Sequence, residues 1–394
     1  MFKKLLPFLI LAIILRIIIA GFVLHPDIRG HNLASYFISQ QNEWLTFYDH
    51  LNKLPRTDKL VNLYTDGLLV YPPLAYFTHA IFMKLTFPFV SHDTFWQLIY
   101  DMGSLTKNKD LFVLLVTLKL PYLIADIISL FVLNKILDTK NQFWGSIIWL
   151  FNPITLYSAY MIGQFDIYIT MFIFLSVLAI SKKKTVLSGI FMGLASLYKP
   201  FPLFLLPLLG ENTKDKIKAV TVGVGTYILG ILPFVLTSPG FKNYALFATQ
   251  TDKLTYAKIM VSGSQYLPLF YVGLALIYWL NFYKPKLLTP SMWLISPLLL
   301  FYSVTHFHPQ WFTWSAGLLT LIAVTKRKSV LPVLVLVVLY FLIILTFEPS
   351  LNFGLFGINF NFFDWLNPRF PADQFVSILR AILAATSLAV LIPL

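Results

Sequence analysis

The chain has 394 residues, 58% hydrophobic and only 12% charged, whereas about a quarter of a typical soluble domain is charged. A formal net charge of +13 would fit a nucleic-acid binder only if the basic residues formed one solvated patch. They lie instead in short joints between apolar runs. Cysteine is absent, which excludes a disulfide framework, a thiol nucleophile and a thiolate zinc site.

The opening MFKKLLPFLILAIILRIIIAGFVL starts with the charge of a signal peptide. Its apolar run is too long for one and lacks a small-residue cleavage pattern, so it reads as a retained first span. A hydrocarbon core of about 30 Å needs roughly 20 apolar residues per helix. That criterion places spans at 5–24, 111–133, 143–161, 165–181, 185–209, 218–237, 266–283, 288–305, 310–325, 329–347 and 374–393. The expected fold is an all-α polytopic bundle of about 11–13 transmembrane helices. It forms a single membrane domain over 1–394, in which 25–110 is a large outer loop with short interfacial helices. Residues 111–237 supply core helices, and 238–394 the C-terminal helices and further outer loops.

The joints carry Lys3 and Lys4, Lys135 and Lys140, Lys182 to Lys184, Lys214 with Lys216 and Lys218, Lys284 and Lys286, and Lys326–Arg327–Lys328. Short basic loops face the cytoplasm, and both termini then do so too. Segments between successive basic joints must cross an even number of times. The stretch 185–209 is too short for two full spans yet is flanked by lysines on both sides. It reads as a broken pair of half-length helices turning at Tyr198–Lys199–Pro200, because proline disfavours helix in the residue before it. Irregular backbone inside a membrane is tolerated only against protein or a watery cavity, so a cavity open to the outside is implied. The outer loop 25–110 has seven Lys/Arg against eight Asp/Glu. Within it, 70–90 reads as an interfacial or partly embedded helix.

Polar groups that hydropathy does not explain then converge on the outer side: Asp27 in LHPDIRG, Tyr71 in YPP, Gln164 and Asp166 in GQFD, Lys199, and His306, His308 and Gln310 in THFHPQW. Ionisable groups at membrane depth are costly and mark function. Each also has a plain structural reading. Asp27 can be an ordinary loop carboxylate, Tyr71 part of a turn, and Asp166 the cap of the following span. Lys199 can snorkel to headgroups, and the histidines can belong to an aromatic belt with Trp311 and Trp314. His-x-His is also a possible metal pair, but no third ligand of zincin spacing accompanies it, and no metal is expected. Lys119 and Asp126 lie about two turns apart on one face of a span, positioned to pair or to flank the cavity entrance. Arg16 and Arg380 read as buried pairing partners or headgroup anchors. The outer loop 239–265 has room for a short helix and for Gln250 or Lys258 at the site, and the aromatic loop 348–373 is placed to close over it.

Nucleotide-binding glycine loops, the G-x-S-x-G elbow and the Asp-x-Asp pattern of nucleotide-sugar enzymes are all missing. An Asp just after the first span, YPP, a K-L-P-x-x-x-A-D span, GQFD, KP and a His-x-His hairpin, in that order over 27–311, resemble the GT-C superfamily of polytopic glycosyltransferases. The set is most similar to polyprenyl-phosphate-mannose-dependent enzymes and to the glucosyltransferases of asparagine-linked glycan assembly. The resemblance implies a polyprenyl-phosphate monosaccharide as donor and no separate cofactor. The sugar passes, with inversion, to a glycan or lipid-linked acceptor outside the plasma membrane. Asp27 is then the general base, with Asp49 and Asp66 in reserve. Lys199, His306 and His308 hold the donor phosphate, and Gln164, Asp166, Tyr71 and Gln310 line the sugar or acceptor pocket. Val70 precedes the YPP where the glucosyltransferases have an acidic residue, and Pro309 stands where their hairpin continues with one. Both departures favour mannose over glucose. Other classes left open are a transporter or flippase of lipid-linked sugars, a glycan ligase or polymerase, and a partner-binding membrane subunit.

Overall fold

The computed structural model describes residues 2–64 and 66–392, apart from the side chains of Phe2, Asp66 and 249–251. The apolar runs fold into helices, as they must where no water is present to satisfy the backbone. The principal ones are α1 Phe2–Phe22, α2 Ile28–Gln40, α3 Leu74–Thr86, α4 Leu111–Ile136, α5 Thr139–Leu150, α6 Asp166–Ser181 and α7 Thr185–Ser196. They continue with α8 Thr213–Thr237, α9 Leu269–Tyr283, α10 Pro290–Val304, α11 Thr313–Thr325, α12 Val330–Leu345 and α13 Ala372–Leu391. Among the described residues five helical stretches (α1, α4, α8, α12 together with the 3₁₀ turn Arg327–Ser329 before it, and α13) are long and apolar enough to cross a membrane, and α6, α7, α9 and α10 are shorter apolar helices. The protein is an all-α polytopic membrane protein. The two short strands of the described residues, β1 Lys258–Ser262 and β2 Gln265–Pro268, form one hairpin.

Buried charges tie the bundle together. Arg16 of α1 pairs with Asp126 of α4 at 2.6 Å and also donates to the Leu150 carbonyl at 2.7 Å. Tyr160 donates to the same carboxylate at 3.0 Å. Lys119 donates to the carbonyls of Ala20, Val23 and Tyr160, capping the end of α1, where carbonyls lack helical partners. These three residues therefore act as pairing and capping groups inside the bundle. Basic joints from several helices meet at one end, where a cavity of about 560 Å³ is lined by Lys183, Glu211, Lys286 and Trp293 among others.

Three local features shape the opposite end. First, α2 buries Leu33, Phe37 and Ile38 on the face that packs against α3, and Ser35 donates to the Tyr76 carbonyl at 2.9 Å. Pro72 and Pro73 precede α3, which starts at Leu74 because proline is suited to a helix's first turn. Second, the chain breaks after α5 at Asn152, whose side chain caps a new turn by accepting from the Ile154 and Thr155 amides. That turn continues as π-helix over Leu156–Ile162 and stops at Gly163, whose φ of +78° is left-handed. Third, α7 has 12 residues, about 18 Å of helix, and after Leu197–Pro200 the chain returns beside it as a 3₁₀ helix, Phe201–Leu208. Gly193 lets α7 lie close to α8: a Cβ there would stand 2.5 Å from the Gly223 carbonyl oxygen. The apex of this half-length pair is received by α3, with Leu74 N–H donating to the Leu197 carbonyl at 3.1 Å and Thr78 bonded to the Tyr198 hydroxyl at 2.5 Å.

The apolar run expected to span 266–283 begins as helix only at Leu269. Its first residues belong to β2, and Pro268 precedes the helix. Likewise 143–161 is divided at Asn152.

Candidate active site

The GQFD loop is the hub. Gly163 turns the chain out of the π segment, Gln164 points to one side, and Asp166 opens α6 on the other. Gln164 Nε2 donates to Asp27 Oδ2 at 2.7 Å, while Gln164 Oε1 is buried and has no partner among the described residues. Such an orphan costs about 1–3 kcal/mol, the consequence of aiming the amide N–H at the carboxylate. Asp27 stands at the start of α2, with its side chain 36% exposed. His25 Nδ1 accepts from the Asp27 amide at 3.2 Å and lies 3.6 Å from Oδ1.

Asp166 is fully buried. Both of its oxygens accept from Lys199 Nζ at 2.7 Å, and Trp314 Nε1 donates to Oδ1 at 2.6 Å. The carboxylate does not cap α6. The Lys199 ammonium at the apex of the broken pair is thus held by a carboxylate on a neighbouring helix, with the rings of Tyr71, Phe165, Trp311 and Trp314 within 6 Å. Tyr71 is fixed through its backbone: Tyr48 donates to its carbonyl at 2.6 Å, and its N–H donates to the Tyr76 hydroxyl at 3.1 Å. Its ring meets Phe165 edge-on at 4.9 Å. Burial, with Asp166 and Asp27 nearby, pushes its phenol well above the usual range.

Trp311 leads from Lys199 to a second cation. Lys253 Nζ stands 5.1 Å from the same ring and 2.6 Å from His308 Nε2. Burial and then the charges of Lys253, Lys199 and His306 press the His308 imidazole down to about 3. His308 is therefore neutral, its Nε2 faces the ammonium, and the charge at this point belongs to Lys253. His306 faces the other way. Arg380 of α13 approaches its Nδ1 at 3.3 Å and donates to the Thr305 carbonyl at 2.8 Å. Phe307, between the histidines, is buried against Tyr302 and Phe312, and Gln310 is buried in the 3₁₀ turn Pro309–Phe312.

The structure thus brings Asp27, Gln164, Tyr71, Asp166, Lys199 and His308 into one continuous cluster and leaves His306 on its flank with Arg380. Asp49 accepts from the Gly240 amide at 2.6 Å, tying two loops together. The side chains of Asp66 and Gln250 lie outside the described residues. Lys258 rests on Tyr266 in the hairpin, 4.4 Å from its ring. Arg380, read from the sequence as a pairing partner or headgroup anchor, pairs here with Thr305 and His306, whereas Lys253 carried no sequence signal for this place, being a lone lysine without motif or spacing.

An apolar helical bundle that gathers a carboxylate and cations at one end has the architecture of a membrane-embedded group-transfer enzyme. Residues 69–307, more than half of the chain, match Glycosyltransferase family 87, and the protein belongs to that family of GT-C-type membrane glycosyltransferases. The matched region takes in Tyr71, Gln164, Asp166, Lys199, Lys253 and His306, and Asp27, His308 and Gln310 fall outside it. No curated protein and no solved structure matches the chain.

Proposed function

We propose that this membrane glycosyltransferase moves one hexose, mannose in preference to glucose, from a polyprenyl phosphate to a glycan or lipid-linked acceptor. Transfer takes place on the extracytoplasmic side of the plasma membrane, with inversion. The observation that carries the reading is the separation of charge along the site. A half-exposed, Gln164-oriented carboxylate stands at one end and Lys253 with neutral His308 at the other, with the aromatic rings of Tyr71, Phe165 and Trp311 between them. Inverting displacement needs a base on the acceptor side and cations on the departing phosphate.

Asp27 takes the acceptor's hydroxyl proton as that oxygen bonds to the anomeric carbon. The bond from that carbon to the phosphate oxygen breaks, and polyprenyl phosphate leaves with the electron pair beside Lys253. A neutral imidazole donates through its protonated nitrogen, so His308 serves the phosphate as a hydrogen-bond donor. The Asp166–Lys199 pair keeps the apex rigid beneath Trp311. An apolar groove of about 600 Å³, lined by Leu156 and Met161 of the π segment, α12 and the 351–356 loop, lies on the Gln164 side of the site and suits the lipid of a lipid-linked acceptor.

The test is transfer of radiolabelled mannose or glucose from its polyprenyl phosphate by the purified protein. Asp27→Asn is expected to lose transfer by about 10²–10⁴-fold and to keep donor affinity, whereas Lys253→Met loses donor affinity. Full turnover by Asp27→Asn removes that carboxylate from the mechanism.

A further inference from the structure

The β1–β2 hairpin departs from what water favours. Its register pairs Ile259 with Leu267 and Met260 with Tyr266, and a bulge at Val261 precedes the Ser262–Gln265 pair. An antiparallel ribbon in water keeps at least one face polar, yet here the apolar pairs occupy both faces. Ile259, Met260 and Val261 are each more than half exposed, and Leu267 and Tyr266 are exposed as well. Two strands alone are marginal in water.

The hairpin leads into α9, whose 15 residues make about 22 Å of helix and fall short of a 30 Å core. Tyr271 and Val272 at the start of α9 are also exposed, so the apolar surface of the helix runs on into the ribbon. The ribbon's outer edges carry unpaired amides and carbonyls, which hydrocarbon does not tolerate. The headgroup boundary tolerates them, because water reaches it. Both ends of the hairpin are polar: Lys258 sits over Tyr266 at the base, and the tip is Ser262–Gly263–Ser264–Gln265. Such an element lies along a leaflet surface instead of piercing it.

We propose that the hairpin is a lipid-docking finger, seated in the headgroup–acyl boundary of the leaflet at the site's end of the bundle. It is coupled to the donor end of the site. Tyr256 at its base stands 6.3 Å from His306, and five residues before Lys258 comes Lys253, bonded to His308. A ribbon held by the leaflet therefore holds Lys253 over the place where a lipid phosphate would arrive. The docking claim rests on the membrane-transferase reading for its purpose, but not for its test.

The chain has no cysteine, so Met260→Cys provides a single labelling position, and Lys107→Cys, exposed in the first outer loop, an aqueous reference. Each variant is labelled with an environment-sensitive fluorophore and placed in vesicles of phosphatidylcholine and phosphatidylglycerol in equal parts. The expected result is blue-shifted emission from position 260, lost to nitroxides near the headgroups and untouched by aqueous iodide. Emission matching the Lys107 reference, with quenching by iodide, overturns the proposal. So does shielding from both quenchers, which marks a protein partner or a second copy. Sugar transfer by the same labelled protein is measured separately, so a water-exposed finger on an active transferase sinks the finger alone.

Discussion

Lys199, whose setting in the sequence admits snorkelling to headgroups or a hold on the donor phosphate, is one half of a buried pair with Asp166. Removing one partner of such a pair leaves an uncompensated charge in a medium that cannot solvate it. Asp166→Asn should therefore lower stability by about 3–5 kcal/mol, read as a fall in thermal unfolding temperature in detergent. Asp166→Leu with Lys199→Met together should recover most of that loss, which no role confined to substrate contact would give. His308 carries a pH prediction. Its folded value of about 3 lies below the ordinary 6.5, so between those two the unfolded chain binds more protons. Its stabilising contribution is complete above pH 6.5 and is lost as pH falls towards 3. A pH–activity profile should show no inflection near 6.5 from this group, and Lys253→Met should bring one nearer by removing the adjacent charge. Asp27, Gln164 and His308 were legible as candidates in the sequence because several polar groups, each with a plain structural reading of its own, fall on one side of the membrane in an ordered set of motifs. Lys253 was not. A single lysine in a loop acquires meaning only when folding sets it against Trp311 and His308.

At the scale of the element, the GQFD turn depends on one backbone conformation. Gly163 is left-handed, and a Cβ there would stand 3.2 Å from Lys119 Cε and 3.4 Å from Ile28 Cδ1. Gly163→Ala should cost about 1–2 kcal/mol from the left-handed geometry. It should also shift Gln164 off Asp27, lowering kcat more than it changes KM for the donor. The broken pair was readable because twenty-five residues between two basic joints admit no whole helix and return, and Pro200 marks the apex. The division of the third apolar run at Asn152 was missed because the run is judged by hydropathy, although Asn152–Pro153 has the residue types of a helix cap and first turn. The hairpin escaped for a related reason: its strands are as apolar as the helix they join, and hydropathy does not separate a ribbon from a span.

For the whole molecule, Lys183 and Lys286 from two of the basic joints line one cavity, and the transferase cluster, with Asp166 at the opposite end of α6 from Lys183, lies at the other end of the bundle. Single cysteines at Lys183 and Lys107 should accordingly react with an impermeant reagent from opposite faces of sealed vesicles; modification of both from one face would overturn the assignment of sides. The polytopic helical class was plain from composition alone, because apolar runs of this length have no other stable use. The half-length α7 has an electrical consequence. A lone charge at the apex would be pulled by up to about 2.3 kcal/mol per 100 mV if it felt the whole drop. Because Lys199 is matched by Asp166, the apex carries no net charge for the voltage to act on.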